Sequence, residues 1–552
     1  MDTGRSTIAG TTPENIMFGL MQAGQLTLDA LLSHAARWHG RTEVIWNDNH
    51  GERHRSTYAA CHGRAKQVSN ALRAMGIEQG DRIATLGWNS GPHFEAWYGA
   101  VAIGAVCHTL NPRLLADQIA YLVGHAADRV IFADRACVPI LQAILPKCPS
   151  VERVILFDDE DRSSIHGSTV PVEGFATLIG RYGDECDWGG FDEQSAAGLC
   201  YTSGTTGNPK GVLYSHRSNY LHSLFSCQAD GLNLSSRDTV LLLVPMYHAN
   251  AWGLVYSAPM VGARLVLPGQ HVDGATLYQL IESEGVTFAA GVPTVWQGLL
   301  SHCRESGRTL TTLKRAMVAG SVCPETIIRE FMEHGVELLH AWGMTEASPL
   351  ATVSSPDREI AALPLEERIP YMLKQGRTLP GIDFKLTDEQ GRKLAHDGKS
   401  PGRLHVKGET IVGAYYGQSE TRILDDEGFF DTGDIATIDG RGYMQITDRA
   451  KDVIKSGGEW ISSVELENIA LGHPKAELCA VIGVPHPKWD ERPLLLMKLK
   501  PGQSATSEEI SSYLDGKIAK WWMPDDIVFV SDIPLGATGK IDKKRLREIY
   551  GR

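Results

Sequence analysis

Residues 201–212 read Tyr201-Thr202-Ser203-Gly204-Thr205-Thr206-Gly207-Asn208-Pro209-Lys210-Gly211-Val212. Three glycines, a run of hydroxyl side chains and one lysine fall within a dozen positions, directly after the small, apolar stretch Ser195–Cys200. Glycine lets backbone N–H groups turn toward a ligand with no Cβ in the way. Successive N–H groups of that kind form a concavity suited to anions. Ser203, Thr205 and Thr206 add hydroxyl donors and Lys210 a mobile positive charge, so the expected guest is a polyphosphate. The string is not a Walker A loop, because Gly211 stands where that motif needs Ser or Thr after its lysine.

Working outward, the chain of 552 residues is long enough for several structural units. Its hydrophobic share of 43% and charged share of 22% suit a globular protein with an ample core. A net charge of −13 argues against general nucleic-acid binding. The ten cysteines are scattered with no C-x-x-C pair, which argues against a zinc site and fits a reducing, cytoplasmic setting. The first sixteen residues carry Asp2, Arg5 and Glu14 and no apolar run, so no secretory signal is expected. The most apolar stretch, 240–268, is interrupted by Pro245, His248, Asn250, Pro259 and Arg264, too broken for a membrane span.

N-terminal to the loop, helical spacings at 28–39, 61–75, 92–103 and 115–126 alternate with strand-like runs at 44–46, 82–87, 105–110, 129–134 and 153–158. That alternation predicts parallel sheets covered on both faces, with ligands at the carboxyl ends of strands. Residues 350–380, rich in proline, read as a loop-rich crossing, and 383–443 as a run of short strands. Beyond a boundary near 448–452, Ser462–Glu465 has the form of a capping box. Thr506–Glu509 caps a second helix expected to run to about Trp521, and the basic last fourteen residues read as a solvated helix.

The loop resembles the phosphate loop of the adenylate-forming superfamily, and further motifs in the same order extend that resemblance over about residues 25–545. Gly343-Met344-Thr345-Glu346 matches the family's Gly-x-Thr-Glu, implying that Thr345 meets the α-phosphate and Glu346 holds Mg²⁺, with Thr202 as a second metal contact. Trp342, next to Ala341, stands where the family often has an aromatic ring flat on adenine, and Ala319-Gly320-Ser321 matches the segment on the other side. Thr432-Gly433-Asp434 implies a ribose-binding Asp434, joined by Arg449. Lys540, in Pro534–Lys540, matches the lysine that bridges the carboxylate and α-phosphate during adenylation. Arg403, after Gly402, stands where the family usually has Glu.

Pro245-Met246-Tyr247-His248-Ala249-Asn250-Ala251-Trp252 resembles the acyl-pocket motif of fatty-acyl-CoA synthetases, implying that His248 lies by the carboxylate and that Trp252, followed by Gly253, gates the acyl tunnel. No acidic residue occurs between Val240 and Val272, and an ammonium group would be costly there, so the expected substrate is a carboxylic acid with an apolar tail. Lys455-Ser456-Gly457-Gly458-Glu459-Trp460 looks like the loop that enters for thioester formation, with Gly457 lining the pantetheine channel, and Lys451 matches the hinge.

The resemblance implies an α/β fold. A large N-terminal domain, 1–449, holds two doubly wound sheets and a β-rich subdomain at about 381–447. A small mobile α+β domain spans 450–552. The activity it implies is a two-step acid–thiol ligase using ATP, Mg²⁺ and coenzyme A, which acts on a medium- or long-chain fatty or related apolar acid. Alternatives are an acyl-adenylating enzyme that loads a carrier protein, an aryl-, arylalkanoate- or methylthiopropionate-type CoA ligase, and a silent nucleotide-binding protein. A homodimer is an expectation by analogy only.

Overall fold

The computed structural model describes residues 19–158, 165, 169–202, 209–456, 459–536 and 540–551, with only the backbone described at 459 and 460. The first sheet has seven strands, in the order Val172–Gly174, Arg153–Leu156, Val130–Ala133, Arg82–Leu86, Val106–Leu110, Ala196–Tyr201 and Gly211–Ser215. All neighbours are parallel except the last pair. The expected helices are present: Thr57 caps Tyr58–Ala74 by accepting the Ala60 N–H, and Ser90 caps the almost wholly buried Gly91–Val101.

The second sheet has nine strands. Its parallel centre runs Glu337–Gly343, Arg315–Val318, Phe288–Gly291, Thr239–Leu241, Arg264–Leu267 and Glu43–Asn47, with antiparallel strands at both edges. One edge strand, Arg53–Thr57, carries no apolar alternation and so left no sequence signal. Arg53 and Arg55 instead hold Glu284 at 2.6 and 2.7 Å.

Ile382–Thr387, Gly402–Gly408, Phe430–Ile438 and Met444–Arg449 form a four-stranded antiparallel sheet, and a five-stranded sheet is built from 454–529. The two are joined at a strand end. The fully buried Asp448 accepts the Ser463 N–H at 2.6 Å and the Ser463 hydroxyl at 2.8 Å, and the Ser462 hydroxyl donates to the Thr447 carbonyl.

Three expectations are corrected. Residues 350–380 are not a bare crossing: they hold the strand Leu350–Val353 and the helices Arg358–Ala361 and Leu365–Met372. Pro364 occupies the cap position of the second helix, where a missing N–H costs nothing. The helix after Thr506 stops at Leu514, since Gly516 takes a left-handed φ of 76° and only a 3₁₀ turn, Lys520–Trp522, follows. The terminal helix Lys543–Tyr550 is not simply solvated. Lys543 pairs with Glu467 at 2.8 Å and Arg547 with Asp452 at 2.7 Å. Arg403, the departure from the family pattern, pairs with Asp431 at 2.8 Å on the surface.

Helices pack both faces of the second sheet. Trp296 lies fully buried beneath it, donates its indole N–H to the Met317 carbonyl at 3.1 Å and meets Phe331 edge-on. Trp296→Ala should therefore remove about 3–5 kcal/mol of stability. Urea unfolding followed by the loss of that lobe's cooperative transition checks this.

Candidate active site

The residues singled out from sequence follow the carboxyl ends of strands. Thr202 follows Ala196–Tyr201, His248 and Trp252 follow Thr239–Leu241, Ala319–Ser321 follow Arg315–Val318, and Thr345 and Glu346 follow Glu337–Gly343. Parallel sheets open their ligand crevices at such ends. The glycine- and hydroxyl-rich loop is closed at its base: the Thr202 N–H donates to the Lys210 carbonyl at 2.9 Å, and the Lys210 N–H to the Thr202 hydroxyl at 3.3 Å. Ser203, Gly204, Thr205, Thr206 and Gly207 lie outside the described residues, as do Gly457, Gly458 and the Trp460 side chain.

Asp434 is buried and faces Arg449 across neighbouring strands, 2.7 Å from its Nε. Its other oxygen accepts the Trp342 indole N–H at 2.9 Å. The adenine-side and ribose-side candidates therefore touch. Trp342, Ala341 and Ala319 line this wall with little exposure, and Gly343 approaches Pro349 so closely that a Cβ would lie 2.1 Å from its carbonyl oxygen.

Gly320 takes a φ of 86°. A methyl group there would sit 3.6 Å from the Trp252 ring and 3.7 Å from the Lys540 ε carbon. Lys540 thus reaches the cleft from the far end of the chain. Its carrier segment is pinned by the Gly536 N–H on the Lys540 carbonyl at 2.7 Å and the Asp542 N–H on the Pro534 carbonyl at 2.9 Å. The side chain is open toward the cleft but surrounded by protein. Although the residue keeps an exposed side, desolvation by the surrounding protein lowers its ammonium to about 8, with Arg449 pushing the same way and Asp434 opposing. Burial, then the nearby Lys540 charge, lowers His248 to about 4, so its imidazole is neutral near pH 7.

The turn carrying His248 and Trp252 is strained. Ala249, Asn250, Ala251 and Trp252 have φ of 43°, 56°, 51° and 53°, a left-handed helical turn. That conformation costs L-residues roughly 1–2 kcal/mol each. Asn250 offsets part of this by donating to Asn219 at 3.2 Å. Asn89, from the first sheet, holds the approach by donating to the Leu242 and Val244 carbonyls and accepting the Met246 N–H at 2.7 Å. Gly253 ends the turn at φ 82°, where a Cβ would meet the His222 ring at 2.5 Å.

Glu346 is buried, and desolvation raises its carboxyl above the usual range. Its Oε1 accepts the Tyr415 hydroxyl at 2.8 Å, and the charges of Arg449 and Lys210 reach it, so both halves of the site share one cleft. The Thr345 carbonyl accepts the Tyr214 hydroxyl at 2.7 Å. A desolvated carboxylate is a hard oxygen donor of the kind that suits Mg²⁺. Tyr415, Asn89 and Tyr214 carried no motif in the sequence.

Lys455 is placed elsewhere. Its ammonium pairs with Glu389 at 3.2 Å and its N–H donates to Glu491 at 3.0 Å. Lys451 lies in the turn after Arg449, beside Asp452, which Arg547 holds.

Two α/β sheets, a β-rich unit and a small α+β unit that brings a lysine to the ends of the parallel strands define an adenylate-forming enzyme. The AMP-binding enzyme model matches residues 31–416, and the AMP-binding enzyme C-terminal domain model matches 465–540. The chain belongs to the AMP-binding enzyme family and falls in its acyl-CoA synthetase branch. It is 47% identical over 536 residues to a medium-chain-fatty-acid–CoA ligase of Ectopseudomonas oleovorans, covering 97% of this chain and 98% of that one. It is 46% identical to a 3-methylmercaptopropionyl-CoA ligase of Ruegeria lacuscaerulensis, covering 97% and 99%. A long-chain-fatty-acid–CoA ligase of Thermus thermophilus is 44% identical, covering 96% of each. Among solved structures, ATP-bound MatB from Rhodopseudomonas palustris superposes with a TM-score of 0.80 at 25% identity, covering 95% and 99%. The anthranilate CoA ligase AuaEII with anthranoyl-AMP gives 0.84 at 23%, covering 95% and 97%, a likeness of fold.

Lys540 is protonated below its pKa and neutral above it. The first half-reaction should therefore lose kcat/KM as pH rises through about 8. Lys540→Arg keeps the charge at all such pH values, so the falling limb should vanish from whatever activity remains. Acid-dependent ATP–pyrophosphate exchange on both sides of that pH is the measurement.

Proposed function

We propose that this enzyme joins a carboxylic acid with an apolar tail to coenzyme A in two steps. A carboxylate oxygen attacks the α-phosphorus of ATP, the bond to the β-phosphate oxygen breaks, and pyrophosphate leaves an acyl-AMP. The CoA thiolate then attacks the acyl carbon and AMP departs with the electron pair. The observation that supports this reading is the place of Lys540, beside Gly320 and within the field of Asp434 and Arg449. Its cation would lie where negative charge gathers between carboxylate and phosphate. Preorganised donors of that kind are commonly worth about 3–4 kcal/mol.

In this reading Asp434 and Arg449 grip the ribose, Trp342 and Ala319–Ser321 flank the adenine, and the loop from Thr202 to Lys210 cradles the phosphates. Glu346, with Thr202 and Thr345 nearby, would hold Mg²⁺, which supplies positive charge to the phosphates when bound. The neutral His248 would face the acid's carboxylate without trapping it in an ion pair, and Trp252 would border the tail. The strained turn presents both. The stretch between Val240 and Val272, which has no acidic residue, and relatives named for medium-chain, long-chain and 3-methylmercaptopropionyl acids favour an aliphatic acid of that range.

The arrangement suits the first step, with Lys540 in the cleft and Lys455 held on Glu389. For the second step, the unit beyond a boundary at 449–450 would turn about Lys451, withdraw Lys540 and bring in 455–460. The ten free cysteines, most of them buried, suit a reducing cytoplasm. Among the described residues no helix is long and apolar enough to cross a membrane.

A panel of aliphatic, arylalkanoic and methylthio acids tested with ATP and CoA should show AMP release, ranked highest for apolar aliphatic tails. No AMP release with any acid would overturn the reading, and transfer to a carrier protein but not to CoA would replace its second step. Lys540→Ala should lower acyl-AMP formation by about 10²–10³ while sparing thioester formation from supplied acyl-AMP. Equal loss of both half-reactions would remove the role given to this lysine.

A further inference from the structure

Tyr415 stands between two groups of opposite charge that the reading above assigns to different parts of Mg·ATP. It belongs to the segment joining the strands Gly402–Gly408 and Phe430–Ile438, outside every motif read from the sequence. Its hydroxyl donates to Glu346 Oε1 at 2.8 Å, and its ring carries the Lys210 ammonium 4.7 Å from the centroid. The same segment is tied to both neighbours by backbone. The Val412 N–H donates to the Glu346 carbonyl, and the Tyr416 N–H to the Gly211 carbonyl, each at 2.8 Å.

Lys210 and Glu346 lie close enough that the lysine charge acts on the carboxylate. Opposite charges within reach of each other attract more strongly the less water surrounds them, which would draw the lysine onto the carboxylate. That pair would cover the oxygens a divalent cation needs and tie up the ammonium that phosphate needs. Tyr415 gives each charge a weaker partner instead. A hydroxyl takes one carboxylate oxygen, and a ring face takes the ammonium. Both contacts exchange readily for a ligand.

We propose that Tyr415 is a positioning residue that keeps Lys210 and Glu346 apart, leaving the first free for phosphate and the second for the divalent cation. The proposal rests on the nucleotide reading of the cleft.

The test is calorimetric binding of ATP to the full-length enzyme, with and without Mg²⁺, for wild type, Tyr415→Phe, Tyr415→Leu, Lys210→Met and the Lys210→Met/Tyr415→Leu double variant. Tyr415→Leu should weaken Mg·ATP binding about tenfold and remove most of the gain that Mg²⁺ brings. Tyr415→Phe keeps the ring and should lose less, with the loss confined to the Mg²⁺-dependent part. In the Lys210→Met background, with no lysine to collapse, Tyr415→Leu should cost clearly less than it does alone, a non-additivity that a merely structural role would not produce. Additive losses, or equal losses with and without Mg²⁺, would overturn the proposal. So would wild-type binding by Tyr415→Leu, or by Tyr415→Phe if the leucine variant fails to fold. A wild-type enzyme that binds no Mg·ATP would overturn the nucleotide reading itself, and this proposal with it.

Discussion

The site depends on the attachment of one buried carboxylate. Asp448 ends a strand of the β-rich sheet and is bound by the N–H and hydroxyl of Ser463, at the start of a helix in the small α+β unit. Lys543 donates to the same serine hydroxyl at 2.7 Å and pairs with Glu467, and its charge acts on Asp448. Two cations of the cleft are placed through this knot. Arg449, the next residue, reaches Asp434, and Lys540 lies three residues before Lys543. Removing one partner from a buried ionic cluster typically costs about 3–5 kcal/mol, because the remaining charge is left uncompensated. The knot is therefore a strong reason for the small unit to rest where it does.

The apolar side of the cleft follows a different logic. Four consecutive L-residues in left-handed conformation are held by neighbours that over-determine them: Asn219 on Asn250, the His222 ring that excludes any side chain at Gly253, and Asn89 on the approach from the other sheet. Strain of this kind persists where the surrounding structure enforces it, and it concentrates at functional sites. Here it turns His248 and Trp252 toward the same space as Gly320 and Lys540. A neutral histidine and tryptophan beside one lysine give that space the character of a pocket for an anion with an apolar tail.

The parallel sheets were legible because strands and helices alternate openly along this chain: 82–86, 106–110 and 130–133 are short, largely buried runs separated by helices. Arg53–Thr57 was not legible, because a polar edge strand held by arginine–glutamate pairs has no apolar pattern. Prolines misled at 350–380, since a proline just before a helix or near its end interrupts little. The basic terminal helix misled as well, because composition does not reveal that Lys543 and Arg547 have acidic partners far away in sequence.

By itself the sequence determined the kinds of group available: a glycine- and hydroxyl-rich loop with one lysine, a threonine–glutamate pair, a Thr-Gly-Asp segment and a late lysine, in an order that names a family. Those are local facts, written in short stretches whose backbone needs are met by their own residues. Only the tertiary structure decided that Asp434 is shared between Arg449 and Trp342, that Lys540 meets Gly320, and that Tyr415 stands between Lys210 and Glu346. Such pairings join residues tens to hundreds of positions apart. Their energies come from desolvation and charge in a shared low-dielectric space, which exists only once the sheets and the small unit have closed around it.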